Sequence, residues 1–167
     1  MPVLAQDGWL RNPLVPWNSP GMAVPSAPLD VPSFIEPLCA RSVRPPETRE
    51  DQEVASQGWV LFGPYEGGWG IRTIGGTAGF DGMCRPTGYQ YFIFMDGEFA
   101  GTLSPVPMAA RSTGAGRILA FDSEHRVTAN FVRYANEDPL CCPSRPSVSI
   151  ELRIEDTEQG PVEPPRV

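Results

Sequence analysis

Four cysteines are the residues of this chain best suited to covalent chemistry: Cys39, Cys84 and the adjacent Cys141 and Cys142. An even count scattered over roughly a hundred residues fits a disulfide framework made in an oxidising compartment. Zinc is a poor match, because structural zinc sites use C-x2–4-C pairs and the single histidine cannot complete two half-sites. A disulfide prefers Cα atoms about 5.5 Å apart, and consecutive Cα atoms stand only about 3.8 Å apart. The expected framework therefore joins Cys39 and Cys84 separately to Cys141 and Cys142. Which of the two crossed pairings holds is open at this point.

The other reactive residue types fall in places with simpler uses. His125 sits among Asp122, Glu124 and Arg126 in an expected hairpin turn. A nucleophile needs a base beside it, and Ser104 and Ser144 lie next to prolines, outside any G-x-S-x-G setting. Glycoside hydrolysis would need two carboxylates about 5–10 Å apart across a cleft. Asp81, Asp96 and Glu98 are the nearest candidates for such a pair, although Asp96 also reads as a turn residue and Glu98 as a strand start. Gly67-Gly68-Trp69-Gly70 and Gly75-Gly76-Thr77-Ala78-Gly79 lack the Gly-Lys-Ser/Thr ending of a phosphate loop and read as turns.

The loop Phe80-Asp81-Gly82-Met83-Cys84-Arg85-Pro86-Thr87 carries an acid, a thiol and a cation together. Asp81, Met83 and Arg85 are its candidate binding residues, because loops on a rigid sheet commonly carry recognition. Arg111, in Arg111-Ser112-Thr113-Gly114, is a candidate facing anion-binding residue. Trp59, Tyr65 and Trp69 are aromatics that could stack on sugar rings. No catalytic residue, metal or cofactor is expected.

These residues must be held by short strands. The 20 prolines and 17 glycines among 167 residues favour turns over long helices, and a hydrophobic content of 41% permits a real core. The net charge of −7, with 13 arginines and no lysine, argues against nucleic acid as a partner. No apolar run approaches the roughly 20 residues of a membrane span. Residues 1–45 read as a proline-rich arm, which Trp9, Leu14, Val15 and Trp17 could dock on the body. Residues 46–57 read as a polar connector of one or two helical turns, with Pro46 at the first helical position. Residues 58–156 read as the β domain, and 157–167 as a loose acidic tail.

Within the β domain, Trp59 to Phe62 reads as a strand ended by Gly63-Pro64, and Gly70 to Ile74 as a strand closed by Gly75-Gly76. Asp96-Gly97 between Tyr89–Met95 and Glu98–Leu103 is a strong hairpin signal, since both turn positions need positive φ. A two-residue loop there would set Phe94 opposite Phe99 and Phe92 over the bare backbone of Gly101. The first of those strands is apolar on both faces and belongs in the middle of a sheet. A second hairpin runs from Arg117–Phe121 through a turn at 122–125 to Arg126–Tyr134. Val148, Ile150, Leu152 and Ile154 alternate with Ser149, Glu151, Arg153 and Glu155, as in a half-buried antiparallel strand. The fold class is mainly β: an antiparallel sheet twisted into a sandwich or partly closed barrel, with little helix.

Three stretches carry a family likeness: Gly79-Phe80-Asp81-Gly82-Met83-Cys84-Arg85-Pro86, Asp96-Gly97-Glu98-Phe99-Ala100-Gly101-Thr102-Leu103-Ser104-Pro105, and Asp138-Pro139-Leu140-Cys141-Cys142-Pro143-Ser144. Over about residues 58–154 the chain resembles the LppP/LprE lipoprotein family of bacteria. The resemblance implies an exported, cell-envelope-associated domain and transfers no catalytic residue. Glu36-Pro37-Leu38 before Cys39 is not the apolar segment that precedes a lipidated cysteine. Val3-Leu4-Ala5 followed by Gln6 fits the small-residue pattern of a signal-peptide cleavage site, which predicts an upstream extension carrying a signal.

The expected function is a non-enzymatic binding or structural role in an extracytoplasmic setting, with an envelope component or a protein as partner. A carbohydrate-acting enzyme using a carboxylate pair is the first alternative. A disulfide-rich protein inhibitor is the second.

Overall fold

The computed structural model describes residues 8–10, 17–29, 37–155, 160 and 165–166. Among them, two antiparallel sheets pack face to face. One contains β1 (Val60–Gly68), β2 (Ile71–Phe80), β3 (Pro86–Met95) and β4 (Glu98–Thr102) in that order, with β5 (Met108–Ala109) also on β3. The other runs β6 (Gly116–Phe121), β7 (Arg126–Arg133), β8 (Arg145–Arg153) and β9 (Pro165–Arg166). This is the expected mainly β sandwich, and neither sheet closes into a barrel. The tail expected to hang loose is, at Pro165–Arg166, paired with β8.

Strand β3 shows why the sheets stack. Ile93 and Met95 point to the core shared with Val127, Phe131, Ile150 and Leu152 of the second sheet. Phe92 and Phe94 point the other way, into a smaller core with Trp59, Leu61, Val54 and Val24. A strand apolar on both faces must be covered on both, so the first sheet is the middle layer. Its outer face is covered by the amino-terminal segment and by α1 (Arg49–Ala55). That helix begins at Arg49 with Thr48 as its N-cap, not at Pro46 as expected. Thr48 and Asp51 form a reciprocal capping box, which satisfies two backbone donors at once. Asp51 is fully buried and also takes a bidentate pair from Arg44 at 2.6 and 2.8 Å.

The Asp96-Gly97 turn forms as expected, with φ of 49° and 85°. The pairing beyond it corrects the expected register. Phe94 does lie opposite Phe99, but a bulge sets Ile93 opposite Gly101 and Phe92 opposite Thr102. Gly101 is covered by Asn18 of the arm, whose side chain stands where a Cβ would be. The arm is thus a docked strap: Trp9 and Trp17 pack edge-on, and Trp9 meets Phe131 at 5.0 Å. Leu14 and Val15 lie outside the described residues.

Two further expectations fail for one reason. Gly63-Pro64 does not end β1, and Gly75-Gly76 does not close β2; both dipeptides lie inside strands. The register between these strands jumps from Phe62↔Gly75 to Glu66↔Thr73, so β1 bulges at Gly63-Pro64. Gly75 and Gly76 serve close packing, since a Cβ would come within 3.0 Å of the Phe62 and Phe92 rings. The disulfides also differ from the expected crossed pattern. Cys39 pairs with Cys84, at a Cα separation of 5.3 Å, and Cys141 pairs with Cys142. Cys84 follows β2 in the first sheet, whereas Cys141 and Cys142 sit between β7 and β8 of the second. The preference for wider Cα spacing did not bar a bridge between neighbours 3.7 Å apart.

Candidate functional site

The loop singled out from the sequence is built around Asp81. Its carboxylate accepts the amides of Met83 and Arg85 and pairs with the Arg85 guanidinium at 2.7 Å. Desolvation pushes this carboxyl up, but the Arg85 and Met83 contacts together hold it below the usual range. Cys84 takes φ of 59° and bridges to Cys39, which is 1% exposed. Met83 is left at the tip, 73% exposed. Arg111 lies at the same end of the sheet, because the amide of Ala110 donates to the carbonyl of Pro86. Its side chain makes no ion pair among the described residues. Beside this loop lies an open groove of about 530 Å3 between Arg41–Pro45, Phe62, Phe80 and Cys84.

The β6–β7 turn repeats the same construction. Asp122 accepts the amides of Glu124 and Arg126 and the Arg126 guanidinium, and His125 takes φ of 60°. His125 is thereby a turn residue. Ser104 is fully buried and bonds to Gln90 and the Val106 carbonyl, and Ser144 donates to Asp138. Asp81 and the Asp96/Glu98 pair sit at opposite ends of β3, whose ten residues span roughly 33 Å. The structure therefore brings Asp81 together with neither Asp96 nor Glu98. Trp59, expected at the surface, is 4% exposed and donates its indole N–H to the Pro25 carbonyl. Trp69 is exposed, and the Tyr65 side chain lies outside the described residues.

Another site was not legible from the sequence. The β1 bulge opens a cleft of about 180 Å3 on the flank of the sandwich, between the edge strands β1 and β6. Phe62, Gly75 and Tyr91 form one row across its floor. Glu66 and Thr73 form the next row, and Arg117 and Ile118 come from the facing sheet. The Phe62 ring packs over Gly75 in the middle of the floor. Thr73 is only 3% exposed and lines the cleft. The Tyr91 hydroxyl shares the cleft with Glu66 and Arg117, whose side chains are exposed to solvent. Burial first, and then the Glu66 charge, push the Tyr91 phenol up, so it stays a protonated donor. A small cleft lined by aromatic rings and a few polar groups has the makings of a binding site.

Glu66, Thr73, Tyr91 and Arg117 come from four different strands. Only the bulge and the sheet register make them neighbours. The Gly-Pro dipeptide at 63–64 was the one available signal, and it also fits a strand end.

Comparison with known proteins gives one family. The family model of the LppP/LprE lipoproteins matches residues 71–157, from the start of β2 to just beyond β8. Neither the curated proteins nor the solved structures contain a significant match.

Proposed function

The chain belongs to the LppP/LprE lipoprotein family, and on that premise we propose that it is a non-enzymatic binding domain for a component of the cell envelope. A lipoprotein family suggests envelope association, and the Cys39–Cys84 bridge fits an extracytoplasmic location. The vicinal Cys141–Cys142 ring closes no long loop, so the compartment argument rests on the first bridge. The observation that carries the binding reading is the β1–β6 cleft, where Thr73, Tyr91, Glu66 and Arg117 line one small concavity beside the Phe62 ring. Asp81, Asp122, Ser104 and Ser144 are held by turns and core hydrogen bonds.

The test is thermal. Disulfide-intact protein is melted with and without solubilised envelope extract from a bacterium that encodes it. A rise in melting temperature that disappears in Arg117→Glu supports the reading, because a ligand that binds only the native state stabilises it. A rise of equal size in that variant, or no rise at all, overturns the cleft as the binding site.

A specific observation favours a second reading. Met83 and Leu38, both exposed, flank the Cys39–Cys84 bridge on the two segments it joins. Such a knob suits a protein partner or an inhibitory contact. Loss of partner binding in Met83→Asp, with Arg117→Glu neutral, would favour it over the cleft.

A further inference from the structure

Resting on the cleft reading above, we infer that the ligand is an uncharged saccharide, with one ring in the cleft and its chain running along β6. The first reason is the balance of groups. Glu66 accepts, Arg117 donates, and Thr73 and Tyr91 each do both. The two charges are of opposite sign and both side chains are exposed, so they select neither an anion nor a cation. The two groups set deeper are neutral hydroxyls, which suit neutral hydroxyls on a ligand.

The second reason is the floor. Tyr91 and Phe62, with ring centroids 5.9 Å apart, supply an aromatic surface beside the polar groups. A pyranose or furanose ring is amphipathic in the same way, with C–H faces and a polar rim. Aromatic side chains with a polar handle suit such a ligand.

The third reason is continuity. The cleft shares Glu66 and Ile118 with an open groove of about 400 Å3 that runs over Gly67, Leu119, Ala120 and Phe121. The register slips between Ile118 and Ala120, and Leu119 is left half exposed. The cleft has the volume of about one small ring, and the adjoining groove has room for further units. An extended glycan fits this shape better than a compact zwitterion does.

The experiment is saturation-transfer NMR on the disulfide-intact protein. The probes are glucose, galactose, mannose, arabinose and N-acetylglucosamine, their disaccharides, and the dipeptide Ala-Ala as the zwitterionic control. Saturation transfer to at least one disaccharide, stronger than to its monosaccharide, is expected. Tyr91→Phe and Thr73→Val should each weaken that binding about tenfold while leaving the melting temperature of the free protein nearly unchanged. Transfer to Ala-Ala alone, weakened by the same two substitutions, overturns the saccharide assignment and leaves the cleft standing as the site. Saccharide binding that neither substitution affects overturns both. No transfer to any saccharide overturns the assignment, and the envelope-extract melting test then decides separately whether the cleft binds anything.

Discussion

The carboxamide of Asn18 grips the backbone of Thr102 as a neighbouring strand would: the Thr102 amide donates to Oδ1 at 2.9 Å, and Nδ2 donates to the Thr102 carbonyl at 3.0 Å. Strand β4 would otherwise present an unpaired edge, which proteins commonly cover. Asn18→Ala strips the buried Thr102 amide of its partner and should cost roughly 1–3 kcal/mol. Limited proteolysis should then cut the arm well before the β domain, whereas the wild-type arm resists. Equal cleavage of the two proteins would refute the strap.

Asp51 makes the fold acid-sensitive. Burial pushes its carboxyl up, but Arg44 and the amides of Glu47 and Thr48 outweigh this and hold it below the usual value of 3.8. A depressed carboxylate stabilises the fold fully above its unfolded pKa, and that stability is lost as pH falls through the lower folded pKa. Stability should therefore decline below about pH 4. Asp51→Asn should be destabilised by roughly 2–4 kcal/mol at neutral pH, since it removes the buried charge that pairs with Arg44 and weakens the capping box. Its stability should also vary less with acid. Denaturant titrations across that pH range would check both.

The two bridges should contribute unequally. Cys39–Cys84 closes a loop with a sequence separation of 45, for which chain entropy gives about 4 kcal/mol. Cys141–Cys142 constrains almost no chain. Paired serine substitutions at 39 and 84 should lower the melting temperature sharply, and the same change at 141 and 142 should hardly move it. Non-reducing peptide mapping should recover a cross-linked peptide pair containing Cys39 and Cys84. Crossed peptides linking either residue to 141 or 142 would overturn this pairing.

Gly97 holds the β3–β4 turn at φ 85°. A β-branched residue resists that conformation, so Gly97→Val should cost roughly 1–2 kcal/mol or more. Equilibrium unfolding would measure it, and a neutral result would contradict the turn.

What could be read from the sequence was the local chemistry. Asp96-Gly97, the 122–125 turn and the alternation from Val148 to Glu155 each depend on neighbours in the chain. What escaped was decided by distant partners. A glycine that opens a turn looks the same as one that admits a ring, so Gly75 and Gly76 suggest a strand end in the sequence, whereas in the fold they make room for Phe62 and Phe92. Gly63-Pro64 likewise fits a stop or a bulge. The register of β4 was off by one residue beyond Phe99, because nothing nearby marks Asn18 as the group that covers Gly101. The cleft residues share no sequence motif. They meet because two sheet registers and one bulge place them together.

The Cys39–Cys84 bridge also sets how the molecule would carry mechanical load. A pull on the amino-terminal segment would first strip the contacts of Trp9, Trp17, Asn18 and Val24 from the sheets. Peeling would stop at Cys39, where force passes through a covalent bond to the junction of β2 and β3. Residue 84 lies between two strands of the middle layer, each paired along nearly its whole length. Tethered by its amino-terminal side, the domain would lose its strap under modest tension. It would keep its helix α1 and both sheets until the hydrogen-bond ladders on either side of β2 and β3 gave way.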